Sequence, residues 1–188
     1  MTAKRSVVWG FYPGTHEVAG DFSDDVFSDD RLIGVGRPRT GDLQALVAEH
    51  RPVSDFVTVV RYAYQHNEDI AAWELKKCER WFQRSAGILH RFLCEAQPGY
   101  IVVFANKRNE QAYVGRIRDT DEGRYKYDAS ERNRFHRHFR HFRAVTCVSS
   151  VPYADCSAED LSQARTQNIF WRMGEAGTIF ATEVLRPR

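Results

Sequence analysis

The sequence predicts an α+β fold, in which a curved antiparallel sheet or small β-barrel is flanked by helices. Short segments rich in β-branched and aromatic residues lie at the start and in the second half of the chain. A long stretch with helical spacing of its apolar residues lies between them. This order of strands, helices and a further run of strands is typical of α+β domains. We therefore expect residues 1–188 to form a single domain.

Two strands are predicted near the start of the chain. Ser6–Tyr12 is β-branched and aromatic and ends at a Pro-Gly turn, and Leu32–Gly36 is a second short strand. The segment from Asp21 to Asp30 contains five aspartates and no basic residue. It predicts a long polar loop and lacks the glycine and the terminal glutamate of a calcium-binding EF-hand.

The helical stretch follows these strands. A helix is predicted from Thr40 to His50, with Thr40 or Asp42 as its cap. Ser54–Gln65 begins like a helix but is rich in β-formers, and we interpret it as a helix. Asp69–Glu95 carries an apolar stripe at spacings of three and four residues that indicates packing on a core. The stripe consists of Ala71, Leu75, Cys78, Phe82, Ser85, Leu89 and Phe92.

Four strands are predicted in the second half, and the first two of them form a hairpin. They are Tyr100–Asn106, Gln111–Arg118, Arg124–Tyr127 and His138–Val148. A short capped helix is expected from Ser157, and Thr178–Leu185 is predicted as a closing strand or short helix.

Composition limits the classes of protein. Hydrophobic residues make up 43% of the chain, which is enough for a packed core. The four cysteines form no CxxC pair, which favours reduced thiols in a cytoplasmic protein; they are Cys78, Cys94, Cys147 and Cys156. No apolar stretch approaches the ~20 residues of a membrane span. The net charge of +2 says little about nucleic acid, so the distribution of charge has to decide.

The segment from Arg132 to Arg143 is the most distinctive part of the sequence. It contains five arginines, three histidines and three phenylalanines and no acidic residue. Arginine suits phosphate because its planar fork donates two hydrogen bonds at once, and interleaved aromatic rings suit base stacking. In an extended chain the arginines do not all share one face, so part of the segment is expected to be loop. We interpret it as part of a nucleic-acid contact surface.

The order of several short motifs resembles the EVE-like domains of the PUA-like superfamily. These motifs are Val8-Trp9, Leu32–Gly36, Gly41–Leu43, Gln97–Val103, Tyr113–Ile117, Tyr125–Tyr127 and His141–Val145. EVE-like domains occur as standalone proteins and fused to modification-dependent restriction nucleases. One departure is Thr146, which stands where family members often carry a tryptophan. The helical stretch 54–97 is long for the family and is interpreted as an insertion.

The resemblance implies a DNA-binding module that flips a modified base into an aromatic pocket. The pocket is expected to contain Trp9, Phe11, Tyr12, Phe104 and Asn106. The alternative for Trp9 and Phe11 is a place in the core, because strand aromatics bury large areas. Contacts with the DNA backbone are expected from Arg37, Arg39, Lys107, Arg108, Arg137 and Arg140.

The sequence does not predict an enzyme or a cofactor. It lacks a G-x-S-x-G motif, a phosphate-binding Walker loop and paired carboxylates. The expected partners are DNA with a modified base and a nuclease domain or subunit. Two alternatives stay open. One is an RNA-binding PUA-like protein, and the other is a metal-dependent nuclease or phosphodiesterase built on His136 and His138, with Asp128 or Glu131 as a further ligand.

Overall fold

The computed structural model describes residues 7–11, 31–106, 109–130, 138–157, 159, 162 and 170–185. The strands within these residues are β1 Val8–Phe11, β2 Leu32–Val35, β3 Ile101–Asn106, β4 Gln111–Ile117, β5 Lys126–Tyr127, β6 His141–Pro152 and β7 Phe170–Arg172. The helices are α1 Gln44–Ala48, α2 Val53–Tyr64, α3 Glu68–Ala71, α4 Leu75–His90 and α5 Glu175–Val184.

The prediction of an α+β fold is confirmed, but the sheet is mixed rather than wholly antiparallel. Its order is β2-β6-β4-β3-β1-β7, with β5 paired to β6, and it curls strongly into a half-barrel. β1 and β3 pair in parallel, since the long helical stretch between them in the chain supplies the crossover that parallel strands need. A register shift between Val114 and Arg116 marks a bulge, a feature that bends strands and increases their twist.

The side chains of the central strands alternate between two faces of the sheet. One face carries Val8, Val103 and Val114, which cluster with Phe180 and Ala181 of α5. The opposite face carries Trp9 and Phe11 of β1, because successive strand residues point to opposite sides. The segment 178–185 was predicted as a strand or short helix. Most of it lies in the helix α5, which covers the face that carries Val8, Val103 and Val114.

The helical stretch breaks into more pieces than the sequence suggests. The prediction of a helix over Ser54–Gln65 is confirmed by α2, whereas the helix predicted at Thr40 begins only at Gln44. Pro38–Thr40 forms a 3-10 turn instead, and Asp42 accepts a hydrogen bond from the Gln44 N–H at 3.0 Å. The predicted Asp69–Glu95 helix divides into α3, α4 and a π turn over Arg91–Glu95.

Helices α2 and α4 pack against each other, with Phe56 and Tyr64 of α2 against His90 and Trp81 of α4, and most of the predicted apolar stripe is buried. Its members from Cys78 to Phe92 are buried, but Leu75, which we placed in the stripe, is 78% exposed at the start of α4. Arg61 of α2 donates two hydrogen bonds to Glu79 of α4, at 2.7 and 3.2 Å. None of the helices within the described part of the chain is long and apolar enough to cross a membrane.

The contacts divide the chain into two compact units. The first, the sheet unit, comprises 1–34, 96–124 and 143–188, and the second, the helical unit, comprises 35–95 and 125–142. The hairpin predicted from Tyr100 to Arg118 is confirmed in the sheet unit, where β3 pairs with β4 from Ile101 to Asn106. β7 was not predicted from the sequence, because three residues carry too little pattern to indicate a strand.

We predict that Phe170→Ala destabilises the protein by about 3–5 kcal/mol, because Phe170 is fully buried in β7 and stacks on Trp9. Urea unfolding followed by far-UV circular dichroism measures this change. Ile179→Ala is the control, since Ile179 is 54% exposed and its truncation should change the free energy of unfolding by less than about 0.5 kcal/mol. Equal effects of the two substitutions would contradict the assignment of β7 to the core.

Candidate functional site

The structure brings four of the five predicted pocket residues to one face of the sheet. Phe11 lies directly opposite Phe104 across the parallel pair β1 and β3, and their ring centroids are 5.9 Å apart. Trp9 and Asn106 lie two residues from them along the same strands and so point to the same side. The ring of Tyr113, on β4, stacks on Phe104 at 6.0 Å. Tyr12 lies outside the described residues.

These four side chains are buried, so this face has the character of a packed core. Trp9 stacks on Phe170 with ring centroids 4.8 Å apart and planes inclined by 11°. Trp9 also carries an unusual feature, since no described residue accepts a hydrogen bond from its Nε1. A buried donor without a partner costs roughly 1–3 kcal/mol, which makes this N–H a candidate for contact with a ligand.

The basic segment, where it is described, is more buried than its composition suggests. Phe139 and Phe142 are buried, and Arg143 is 4% exposed and donates a hydrogen bond to the Gly123 carbonyl at 2.7 Å. His138 is exposed, and Arg140 is partly exposed. The arginines of this segment therefore do not form one uniform basic face. The alternation of side chains along an extended chain predicted this result. Residues 131–137, with Arg137 and His136, lie outside the described residues, as do Lys107, Arg108 and the acidic loop.

Three of the predicted backbone-binding residues meet in the helical unit and form what we call the arginine cluster: Arg37, Arg39 and Arg140. Arg140 donates a hydrogen bond from Nη1 to the Pro38 carbonyl at 3.2 Å, which places it beside the other two. The charges of all three act on the phenol of Tyr64 and lower its pKa, although burial has the larger effect and raises it. The arginines come from two distant segments, so only the fold brings them together.

Aromatic rings of α2 and α4 lie against this cluster. The Arg37 guanidinium is 4.9 Å from the ring centroid of Trp81, and the Arg39 guanidinium is 6.0 Å from that of Tyr64. Tyr64 meets Trp81 edge to face at 5.1 Å, and Trp73 lies at 6.5 Å from the same indole. Cations over aromatic faces are held by the ring quadrupole, and such pairs recur where proteins bind nucleic acid.

Arg37 is the least solvated cation of the cluster. Its Nε donates a hydrogen bond to Ser85 Oγ at 2.9 Å, and Ser85 is buried. Burial lowers the pKa of Arg37, and the nearby charge of Arg84 lowers it further. Within the described part of the chain, no carboxylate forms an ion pair with Arg37. Within the described residues, the positive charge of this guanidinium is therefore not neutralised by a carboxylate.

A buried hydrogen-bond network holds the turn that carries the cluster. His141 has no exposed surface; its Nε2 lies 3.1 Å from Thr40 Oγ1, and its Nδ1 lies 3.0 Å from the Tyr125 hydroxyl. Thr40 Oγ1 donates to the Arg37 carbonyl at 2.8 Å. The Tyr125 hydroxyl accepts from the Leu43 N–H at 3.2 Å. The network thus fixes both ends of the segment from Arg37 to Leu43.

The proton positions in this network follow from the donors available. Because Thr40 gives its only hydroxyl proton to a carbonyl, His141 must donate to it from Nε2, and a neutral ring then accepts from Tyr125 at Nδ1. Asp42 Oδ1, 3.1 Å from the Tyr125 hydroxyl, competes for the same phenolic proton. Burial lowers the pKa of His141 to about 4, so the ring is neutral at pH 7. Burial raises the pKa of Tyr125, so its hydroxyl stays protonated.

The positions of the described side chains can be compared with the hypothesis of a metal site at His136 and His138. Among the described residues, no three His, Cys, Asp or Glu side chains are grouped so that they would hold a metal ion. Both ring nitrogens of His141 lie against hydroxyls, so this histidine is not placed as a ligand. Of the proposed pair, His138 is exposed and His136 lies outside the described residues.

Sequence reasoning missed the aromatic and hydroxyl groups that complete the site. They are Tyr64, Trp73, Trp81, Ser85 and Tyr125. Tyr64 and Trp81 lie on helices that we interpreted only as core-packing elements, and Ser85 was counted in the apolar stripe. The occurrence of two of the four tryptophans in the helical stretch is the one signal that points to them.

Comparison of the chain with family models, with curated proteins and with solved structures finds no significant match. The likeness to EVE-like domains therefore rests on the motifs quoted above. Inferences about function rest on the geometry of the described residues.

We predict that His141 makes the protein sensitive to acid. Its pKa is about 4 in the folded chain and near 6.5 when unfolded, so the unfolded state binds more protons between these values. The contribution of neutral His141 to the free energy of unfolding is fully present above pH 6.5 and is lost as the pH falls towards 4. The total loss is on the order of 3 kcal/mol. Urea unfolding at a series of pH values between 7.5 and 4.5 measures it.

The His141→Gln variant should show a flatter dependence of unfolding free energy on pH. The matched control is His138→Gln, which replaces an exposed histidine three residues away and should leave the wild-type slope unchanged. A wild-type slope in the His141→Gln variant would show that other groups cause the acid sensitivity.

Proposed function

We propose that this chain is a nucleic-acid-binding module that recognises DNA carrying a modified base, in keeping with its resemblance to EVE-like domains. The observation that carries the proposal is the convergence of Arg37, Arg39 and Arg140 around Tyr64. These arginines were expected to contact phosphate from the sequence alone, and they form one cluster in the helical unit. The same resemblance suggests a nuclease domain or subunit as partner.

The chemistry of the arginine cluster suits a phosphate backbone. A guanidinium donates two parallel hydrogen bonds to a phosphate, and each neutralised phosphate releases counter-ions from the nucleic acid. Neither Arg37 nor Arg39 forms an ion pair with a described carboxylate, so their charges remain for a ligand. This contrasts with Arg51 and Arg61, which pair with Asp55 and Glu79.

The aromatic face of the sheet unit is our candidate for base recognition. Trp9, Phe11 and Phe104 supply flat rings, and Asn106 supplies an amide that can donate and accept hydrogen bonds. Stacking of a base on an aromatic ring is worth roughly 1–3 kcal/mol. The Nε1 of Trp9, which has no acceptor among the described residues, would gain one from a base in this place. All four side chains are buried, so base entry requires neighbouring groups to move.

The RNA-binding alternative uses the same chemistry, because phosphate contacts and stacking serve both polymers. Competition of an RNA against a DNA of the same sequence separates the two. A clear preference for RNA would replace the DNA proposal with this alternative.

We predict that the binding of duplex DNA weakens steeply as the salt concentration rises. Arg39→Gln should lower the slope of log binding constant against log salt concentration, the salt slope, by about one, because one phosphate contact is lost. Fluorescence anisotropy with a labelled duplex at several chloride concentrations measures the slope. Arg51→Gln is the matched control, since Arg51 is exposed and already pairs with Asp55. Weak binding that does not respond to salt would refute a phosphate-contacting surface.

We predict that Asn106→Ala reduces the preference for modified DNA roughly tenfold, because an amide contact to a base edge contributes about 1–3 kcal/mol of discrimination. The preference is the ratio of affinities for duplexes with and without one 5-methylcytosine, 5-hydroxymethylcytosine or N6-methyladenine. Gln83→Ala, which removes an exposed amide on α4 of the helical unit, is the control and should leave the ratio unchanged. If Asn106→Ala keeps the wild-type preference while remaining folded, base recognition lies elsewhere.

A further inference from the structure

We infer that Arg37, seated on Trp81 in the helical unit, forms a built site for one phosphate group of a nucleotide. The inference rests on the proposed function and deepens it, since it assigns one phosphate to one residue. It distinguishes Arg37 from Arg39, which lies on the exposed rim of the arginine cluster.

Most of the N–H donors of Arg37 are unused within the described part of the chain. The Nε of Arg37 is spent on Ser85 Oγ at 2.9 Å, and one face of the guanidinium lies over the indole of Trp81 at 4.9 Å. The four N–H groups of Nη1 and Nη2 have no acceptor among the described residues. A planar fork held along one edge and one face leaves its outer edge for a ligand, and a phosphate accepts two hydrogen bonds from such an edge.

A second positive charge lies near the guanidinium of Arg37. Arg84, one turn after Trp81 on α4, lies close enough to repel Arg37. No carboxylate within the described ranges forms an ion pair with either arginine. A partly buried cation beside a like charge is unfavourable unless an anion joins them, because buried charges require pairing. The contacts with Ser85 and Trp81 hold the guanidinium in place and leave its charge without an anion among the described residues.

The backbone of Arg37 is held in place before any ligand binds. Arg37 adopts a left-handed backbone conformation, with φ +89°, which a residue with a side chain rarely occupies. Its carbonyl accepts hydrogen bonds from the Thr40 N–H at 3.1 Å and from Thr40 Oγ1 at 2.8 Å. Thr40 is held in turn by His141. Strain of this kind persists where surrounding contacts enforce it, and it is found at binding sites.

The neighbouring rings indicate why the ligand is a nucleotide rather than a bare anion. Trp81 forms edge-to-face contacts with Tyr64 and Trp73, and Lys77 lies 4.3 Å from the ring centroid of Trp73. One surface of the helical unit thus carries a guanidinium for a phosphate and two partly exposed indoles for the base and sugar of a nucleotide. This is the combination found in proteins that hold single nucleotides of a strand.

Calorimetric titration of the full chain at constant ionic strength tests the site with three probes: inorganic phosphate, a short thymidine oligomer with a 5′-phosphate, and the same oligomer with a 5′-hydroxyl. We expect Arg37→Gln to weaken binding of the 5′-phosphorylated oligomer at least tenfold. Arg37→Lys keeps the positive charge and loses the planar guanidinium. We expect its affinity for the 5′-phosphorylated oligomer to lie between those of the wild type and Arg37→Gln. Arg80→Gln, one turn earlier on α4 than Arg84, is the matched control and should bind like wild type.

The probes also separate the sources of phosphate. Tighter binding of the 5′-phosphorylated oligomer than of its 5′-hydroxyl form, lost in Arg37→Gln, supports a site for a strand terminus. Equal binding of both oligomers, again lost in Arg37→Gln, supports a site for an internal phosphodiester. Binding of inorganic phosphate that depends on Arg37 supports the phosphate site by itself. If duplex DNA does not bind in the same experiments, the proposed function is refuted and the phosphate site stands.

Thermal unfolding in phosphate-free buffer provides an independent measurement. Arg37→Gln removes the hydrogen bond to Ser85 and the contact with Trp81, so we expect a modest fall in its unfolding midpoint while the variant stays folded at the titration temperature. Wild-type binding of all three probes by folded Arg37→Gln would overturn the inference. If in addition Arg39→Gln still lowers the salt slope of duplex binding, the proposed function stands without this site.

Discussion

A buried imidazole holds together the part of the molecule that carries the arginine cluster. His141 contacts Thr40, 101 residues before it, and Tyr125, 16 residues before it, through its two ring nitrogens. Burial of a histidine is unfavourable unless its polar atoms have partners, so the two hydroxyls permit the ring to lie there. In return the ring fixes the turn at residues 37–40. The positions of Arg37 and Arg39 therefore depend on an interaction that neither residue makes itself.

The helical unit contains arginines of two kinds. Arg51 and Arg61 form ion pairs with carboxylates, and their charges are largely spent within the protein. Arg37 and Arg84 repel each other, and Arg37 is partly withdrawn from water. Electrostatic energy increases as water is excluded, so an unneutralised pair in such a place attracts anions more strongly than the same pair on an open surface. A net charge of only +2 conceals this local excess.

The sheet unit packs against α5 on one face and carries, on the other, the residues that we propose for base recognition. Val8 and Val103 close one face against α5, while Trp9 and Phe104 line the other with aromatic rings. The alternation of strand side chains separates the two roles without any insertion in the strands. The first face supplies stability through apolar burial. The second combines aromatic rings, the Asn106 amide and the Trp9 indole N–H, which has no acceptor among the described residues.

The sequence alone determined the elements whose contacts are local. The periodic stripe predicted most of α4, and the hairpin of β3 and β4 was predicted because its strands are adjacent in the chain. The interpretation of the sequence as an EVE-like domain also named Arg37, Arg39 and Arg140 as candidates for contact with the DNA backbone. The tertiary structure decided that β1 pairs in parallel with β3, that β7 joins the sheet beside β1, and that Trp81 lies under Arg37. Each of these joins residues far apart in sequence, and a local pattern of residues contains no information about which distant segment it will meet.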